Sequence, residues 1–111
     1  MHKLRNYTMF GKIGDMLGKL QEVKKKVEEI KAKLETEKID VTGASGDIKI
    51  TINGNRKIQK LEIADALQHG AKDELQEQLL STINKAIEAA DQRSADEMKT
   101  VAGGLIPPGL L

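Results

Sequence analysis

The chain has 111 residues, 18 Lys and Arg against 17 Asp and Glu, no cysteine, and one tyrosine and one phenylalanine as its only aromatics. That length fits one domain with short extensions and an aliphatic core. It leaves no disulfide framework, no thiolate metal site, no thiol redox chemistry, and no aromatic platform on which the bases of a single strand could stack.

The net charge of +1 hides an uneven distribution. Residues 1–38 hold 10 basic against 6 acidic side chains, residues 39–71 hold 4 of each, and residues 72–111 hold 4 against 7. No apolar run is long enough to span a membrane, and the start lacks the apolar stretch of a signal peptide, so neither membrane insertion nor export is expected and the cytoplasm is the expected location. Residues 1–8 are polar and precede a second methionine, Met9, and are read as a disordered leader or tag remnant. The domain is then expected over residues 9–104, with residues 105–111 as a flexible Pro-Gly tail.

From Ile13 to Leu34 apolar residues recur at Ile13, Met16, Leu20, Val23, Val27, Ile30 and Leu34, alternating steps of three and four. This predicts a long helix packed along a coiled-coil-like seam, with part of it projecting beyond the domain. After Lys38 the period changes to two. Ile39 and Val41 mark one strand; Gly43, Ala44, Ser45, Gly46 and Asp47 form a turn; Ile48, Ile50 and Ile52 mark a second strand. Asn53-Gly54 is a strong hairpin signal. A third strand carries Leu61 and Ile63 in phase and Ile58 out of phase, which predicts a bulge near Ile58.

A loop over residues 65–70 leads to a second long helix, for which Asp73 and Gln76 have the spacing of a capping box. Its apolar and small positions run Leu75, Leu79, Ile83, Ile87, Ala90, Ser94, Met98 and Val101, about 3.7 residues apart, the face of a straight helix. Small residues in its second half suit close approach by another helix. Gly103-Gly104 is the expected stop. The fold class is α+β: long helix, three-stranded antiparallel meander, long helix. One small sheet with two amphipathic helices exposes too much apolar surface for a lone chain, so a homodimer is expected.

Lysines border the seam of the first helix: Lys19, Lys26 and Lys33 on one side, Lys24 and Lys31 on the other, with acids gathered on the opposite face. Two copies paired along this seam would oppose like charges, so the helix must meet a different partner, either the rest of the fold or an anion. Two readings are open: a phosphate-binding stripe, or solvated lysines shielding a packed seam. Gly43 to Gly46 has the GxxG spacing of a nucleic-acid clamp but lies between strands, where a turn is the expectation. His69 is a lone loop histidine with no companion for a metal site. Ser45, Ser81 and Ser94 lack a nucleophile context and no carboxylate pair has a catalytic pattern, so no enzyme, cofactor or small-molecule substrate is expected.

Met9-Phe10-Gly11, the charged helix, Val41-Thr42-Gly43 with Gly46, the run from Lys49 to Gly54, Glu62-Ile63, the helix from Leu75 to Ala86 with Asn84, and Leu105 to Gly109 resemble the YbaB/EbfC family of nucleoid-associated proteins in order and spacing. The resemblance runs from Met9 nearly to the end. It implies a tweezer-like homodimer with a central body of sheets and second helices, from which the first helices project. It also implies DNA binding in the cytoplasmic nucleoid, with roles in nucleoid organisation or gene regulation. The contact residues are then expected to be Lys12, Lys19, Lys24, Lys25, Lys26, Lys31 and Lys33, holding phosphates of double-stranded DNA. No arginine lies between Ile13 and Leu34, so strict base readout is not expected. Arg56, Lys57 and Lys60 form an alternative basic group. The competing role is a prefoldin-like holdase or coiled-coil adaptor, which shares the helix, hairpin and helix plan.

Overall fold

The computed structural model describes the backbone of residues 2–105 and the side-chain surroundings of residues 13–101. Helix α1 spans His2–Thr36, 35 residues and about 52 Å at 1.5 Å per residue. It takes in residues 2–8, read from sequence as a disordered leader; no proline interrupts this stretch, and glycines at 11, 14 and 18 weaken a helix without ending it.

Strands β1 (Ile39–Gly43), β2 (Ile48–Ile52) and β3 (Ile58–Ile63) form an antiparallel sheet in the order β1-β2-β3. A short 3-10 turn, Ala44–Gly46, joins β1 to β2, so the GxxG spacing is a turn. The register runs Ile39 opposite Ile52 to Gly43 opposite Ile48, then shifts on the other side of β2, where Thr51 faces Lys60 but Ile52 faces Ile58. The extra residue sits beside Ile58, where the broken alternation placed it.

Residues 65–70, expected as a loop, include a one-turn helix, α2 (Asp65–Gln68), which buries Leu67 in the core. Helix α3 spans Lys72–Leu105. Its first turn is closed by the Leu75 amide donating to the Ala71 carbonyl at 3.1 Å. Asp73 therefore stands inside the first turn, where its charge with that of Glu74 complements the positive end of the helix, and is not the cap that its spacing from Gln76 promised. At the other end the helix runs through Gly103 and Gly104, the expected stop. Each glycine costs only about 1 kcal/mol against alanine, and the first proline comes at position 107. Pro107, Pro108 and the rest of residues 106–111 lie outside the described residues.

Helix α3 lies across β1 and β2 and scarcely touches β3. Val41, Ile48, Ile50 and Ile52 of the sheet are buried with Leu67, Ala86 and Ala90. A second cluster joins Ile30 and Leu34 of α1 to Met98 and Val101 of α3, with Val23 at its margin. The helices run antiparallel, and the molecule is long and thin, 82 × 25 × 17 Å.

Two close approaches depend on the absence of a side chain. A Cβ on Gly43, at the end of β1, would overlap the hydroxyl of Thr82, a buried residue of α3. A Cβ on Gly54 would stand 2.8 Å from Leu34 Cβ and 3.1 Å from Leu34 Cα. The Asn53-Gly54 pair thus serves a different purpose from a two-residue turn: the loop is longer, closed by the Asn53 amide donating to the Lys57 carbonyl at 2.9 Å, and the left-handed residue is Arg56 at φ 66°. Gly54 is needed for space against α1. Gly54→Ala should therefore lower unfolding free energy in a urea titration by about 1–3 kcal/mol, the usual cost of overpacking. Gly18→Ala, whose Cβ meets nothing within 4 Å, should leave it unchanged or higher.

Candidate nucleic-acid interface

The end of α1 is held by the loop between β2 and β3. The last carbonyls of a helix have no partner within it. Here the Leu34 carbonyl accepts from the amides of Glu37 at 3.3 Å and Gly54 at 2.9 Å. The Lys33 carbonyl accepts from the Thr36 hydroxyl at 2.8 Å, and the Glu35 carbonyl from Asn53 Nδ2 at 3.4 Å. Asn53 is fully buried, and its Oδ1 in turn accepts the amides of Asn55 at 2.9 Å and Lys57 at 3.0 Å. Asn55 Nδ2 donates to the Lys31 carbonyl at 3.0 Å and to the Glu35 carboxylate at 2.6 Å, and Lys57 Nζ reaches the same carboxylate at 2.8 Å. The Asn55 amide first, and Lys57 second, hold the Glu35 carboxyl below its ordinary range.

Ion pairs continue the attachment along α3. Lys33 Nζ lies 3.0 and 3.1 Å from the two Glu97 oxygens, and Arg93 lies 3.0 Å from Glu37. Sequence reasoning missed the roles of Asn53, Asn55, Glu37 and Glu97, because each is defined by a partner 18 to 64 residues away. The signal that pointed nearest to them was the Asn-Gly-Asn run after β2.

Beyond these attachments α1 projects. The sequence-derived lysines divide accordingly. Lys19, Lys24, Lys25, Lys26 and Lys31 are exposed, and among the described residues none has a carboxylate within ion-pair distance. Helical spacing puts Lys19 and Lys26 on one border of the seam, Lys24 and Lys31 on the other, and Lys25 opposite it, within three or four residues of Glu22, Glu28 and Glu29. Lys33 is committed to Glu97. Lys12 is on α1, with its side chain outside the described residues.

The alternative basic group is engaged throughout. Arg56 faces Asp91 at 3.5 Å, Lys57 faces Glu35, and Lys60 faces Glu62 at 2.8 Å. The Lys60 amine is held above its ordinary range by its hydrogen bond to Glu62, and the Glu62 carboxyl below its own by the same interaction. His69 is exposed and closes α2 through its backbone amide, which donates to Asp65 at 3.0 Å. Among the described residues no group of three His, Cys, Asp or Glu is placed to hold a metal ion, and no helix is long and apolar enough to cross a membrane.

Comparison with known proteins gives the chain a family. The model of the YbaB/EbfC DNA-binding family matches residues 9–105. The chain belongs to the YbaB/EbfC family. This is a nucleoid-associated DNA-binding family, so DNA is the partner class. The chain is also similar in fold to an uncharacterized protein, HP0035 from Helicobacter pylori, whose crystal structure superposes with a TM-score of 0.62 at 22% identity over 69% of this chain and 90% of that one. In this member of the YbaB/EbfC family, the projecting α1 carries its unpaired lysines away from the sheet.

The clamp on α1 has a pH signature. Glu35 ionises more readily in the folded chain than in the unfolded one, so its contribution is complete above the ordinary glutamate pKa of about 4.3 and is lost as pH falls through the lowered folded value. The stability difference between the native chain and Glu35→Gln, measured by urea unfolding, should therefore shrink as pH drops from about 6 to about 3. A constant difference would mean that the carboxylate charge contributes nothing.

Proposed function

We propose that the chain acts as a non-enzymatic homodimer that holds duplex DNA through phosphate contacts from the lysines of α1. The setting is the cytoplasmic nucleoid, where such binding organises the chromosome and affects gene expression. The observation that carries this reading is the contrast among the basic residues. Lys19, Lys24, Lys25, Lys26 and Lys31 have no described ion-pair partner, whereas Arg56, Lys57 and Lys60 each have one. An amine already held by a carboxylate must break that pair before it neutralises a phosphate; an unpaired one need only release water and counterions. Lys12 would extend the row toward the start of the helix, and Lys33 serves the row by fixing its base to α3.

Self-association is supported by large apolar side chains left exposed on β3 and α3. Leu61 pairs with core-facing Ile50 across the strands and so faces the helix side, yet it is 46% exposed, because α3 covers β1 and β2 instead. Thr82 packs on Gly43 at the β1 edge. Leu80, on α3, is 63% exposed. Ile58, at 44%, completes the uncovered strip. A second copy with the same strip would bury all three twice over. Leu61→Glu should convert a dimer to a monomer in light scattering behind size-exclusion chromatography; a monomeric native chain would overturn this.

Binding to random duplex DNA should be strong near 50 mM salt and fall steeply by 200 mM in an electrophoretic shift. Changing Lys24, Lys25 and Lys26 to Glu should weaken it and flatten the salt slope by roughly 0.9 for each phosphate that is no longer neutralised. Lys33→Gln should lower stability with little change in that slope. If the triple variant keeps the native slope, the α1 lysines do not hold the DNA.

A further inference from the structure

Helix α1 carries an apolar strip that none of the described residues covers. Ile13, Met16, Leu17 and Leu20 are 51, 64, 55 and 62% exposed. The same seam is occupied farther along the helix, where Ile30 and Leu34 meet Met98 and Val101 with Val23 at the margin. The fold thus uses one part of the seam and leaves residues 13–20 of it to water.

Lysines frame the open part. At about 100° per residue, Lys19 and Lys24 leave the helix about 140° apart, and Ile13, Met16 and Leu20 all leave it within that arc. Leu17 lies just outside, beside Lys24. Both lysines are exposed, and among the described residues neither has a carboxylate within ion-pair distance. Asp15 and Glu22, the acids of this stretch, project outside the arc. The same helix of a second copy is a poor occupant, because seam against seam sets lysine against lysine. Phosphates alone would match the amines and leave the apolar side chains between them unused.

The major groove of B-DNA has the complementary chemistry. It is about 12 Å wide, room for one α-helix of about 10–12 Å diameter, and phosphates line both of its walls. Its floor presents an apolar group where the C5-methyl of thymine projects into it. A helix lying in the groove with Lys19 toward the phosphates of one strand and Lys24 toward those of the other turns Ile13, Met16 and Leu20 to the floor. Eight residues of helix, about 12 Å, cover three or four base-pair steps of about 3.4 Å.

We propose that the exposed strip of α1 enters the major groove and packs on thymine methyl groups, so that the arm favours A·T-rich duplexes. The proposal rests on the reading that α1 holds the DNA, and adds to it the residues that choose among sequences: Ile13, Met16 and Leu20. No hydrogen bond to a base is involved, so the outcome is a bias by composition and not recognition of a defined site. Covering one methyl changes affinity about four-fold.

Two duplexes of one A·T-rich sequence, one with thymine and one with deoxyuridine in its place, differ only in that methyl. In fluorescence anisotropy at about 50 mM salt, the full-length native chain should bind the thymine duplex about four-fold tighter or more. Burial of a methyl releases no counterion, so the ratio should persist at about 200 mM salt while both affinities fall. Equal affinities overturn the proposal, and so does a ratio that vanishes with salt. Replacing cytosine by 5-methylcytosine in a G·C duplex puts a methyl on the same groove floor and should tighten binding; no gain overturns the proposal. Met16→Ala combined with Leu20→Ala shortens two exposed side chains without changing charge or helix propensity for the worse. It should bring the thymine preference close to one while leaving the salt slope and the urea midpoint unchanged. A preference retained in that variant places the contact elsewhere and overturns the proposal. Equal affinity for the two duplexes with a steep salt slope overturns the methyl contact alone, whereas absence of binding to either overturns the phosphate contacts of α1 as well.

Discussion

The structure depends on how the carboxyl end of α1 is gripped. A helix of 35 residues that, among the described residues, packs only through its last turns is a cantilever, and its direction is set at the fixed end. That end is held by the turn between β2 and β3, which supplies the Gly54 amide to the Leu34 carbonyl and the Asn53 amide group to the Glu35 carbonyl. Because Asn53 is fully buried and satisfied on both sides, removing it would strand polar groups in the turn and in the helix together. The grip also requires Gly54 to be bare, since the turn meets the Leu34 backbone at van der Waals range. Sheet and arm are thus one mechanical unit.

Charge follows from that geometry. Where α1 runs beside α3 and the turn, its charged residues are drawn into pairs: Lys33 with Glu97, Glu37 with Arg93, Glu35 with Lys57. Exposed pairs of this kind contribute little stability individually, but they neutralise the base of the arm and fix its side chains. Beyond α3 there is no facing carboxylate among the described residues, so the same lysine-rich pattern becomes available to an external polyanion. The division between structural and available lysines is therefore a matter of which of them meet a carboxylate of α3 or of the turn, and not of residue type: Lys33 does, whereas Lys26 and Lys31, also beside α3, do not.

Much of this was legible in the sequence. The alternation at Ile48, Ile50 and Ile52 located the buried face of the sheet, and the loss of phase at Ile58 located the bulge. The seam from Ile13 to Leu34 identified the packing face of α1, and the like charges on its borders, which oppose pairing with its own copy, pointed to a different partner, here the small-residue half of α3. Less legible were the ends of elements. The capping spacing at Asp73 and the glycines at 103 and 104 are weak local preferences of about 1 kcal/mol each, and continuation of the helix outweighs them.

By itself the sequence determined the order of the two long helices and three strands, the buried face of each, and the family signature, because these depend on periodicity and turn chemistry that neighbouring residues carry locally. Only the tertiary structure decided which lysines are paired, why Gly54 is glycine, and that α3 leaves both β3 and the far half of α1 uncovered. Those depend on distances between residues tens of positions apart, and a linear pattern carries no record of which of several compatible partners a side chain will meet. Thus Lys33 and Lys26, seven residues apart on the same border of one seam, read alike in the chain and differ in the fold.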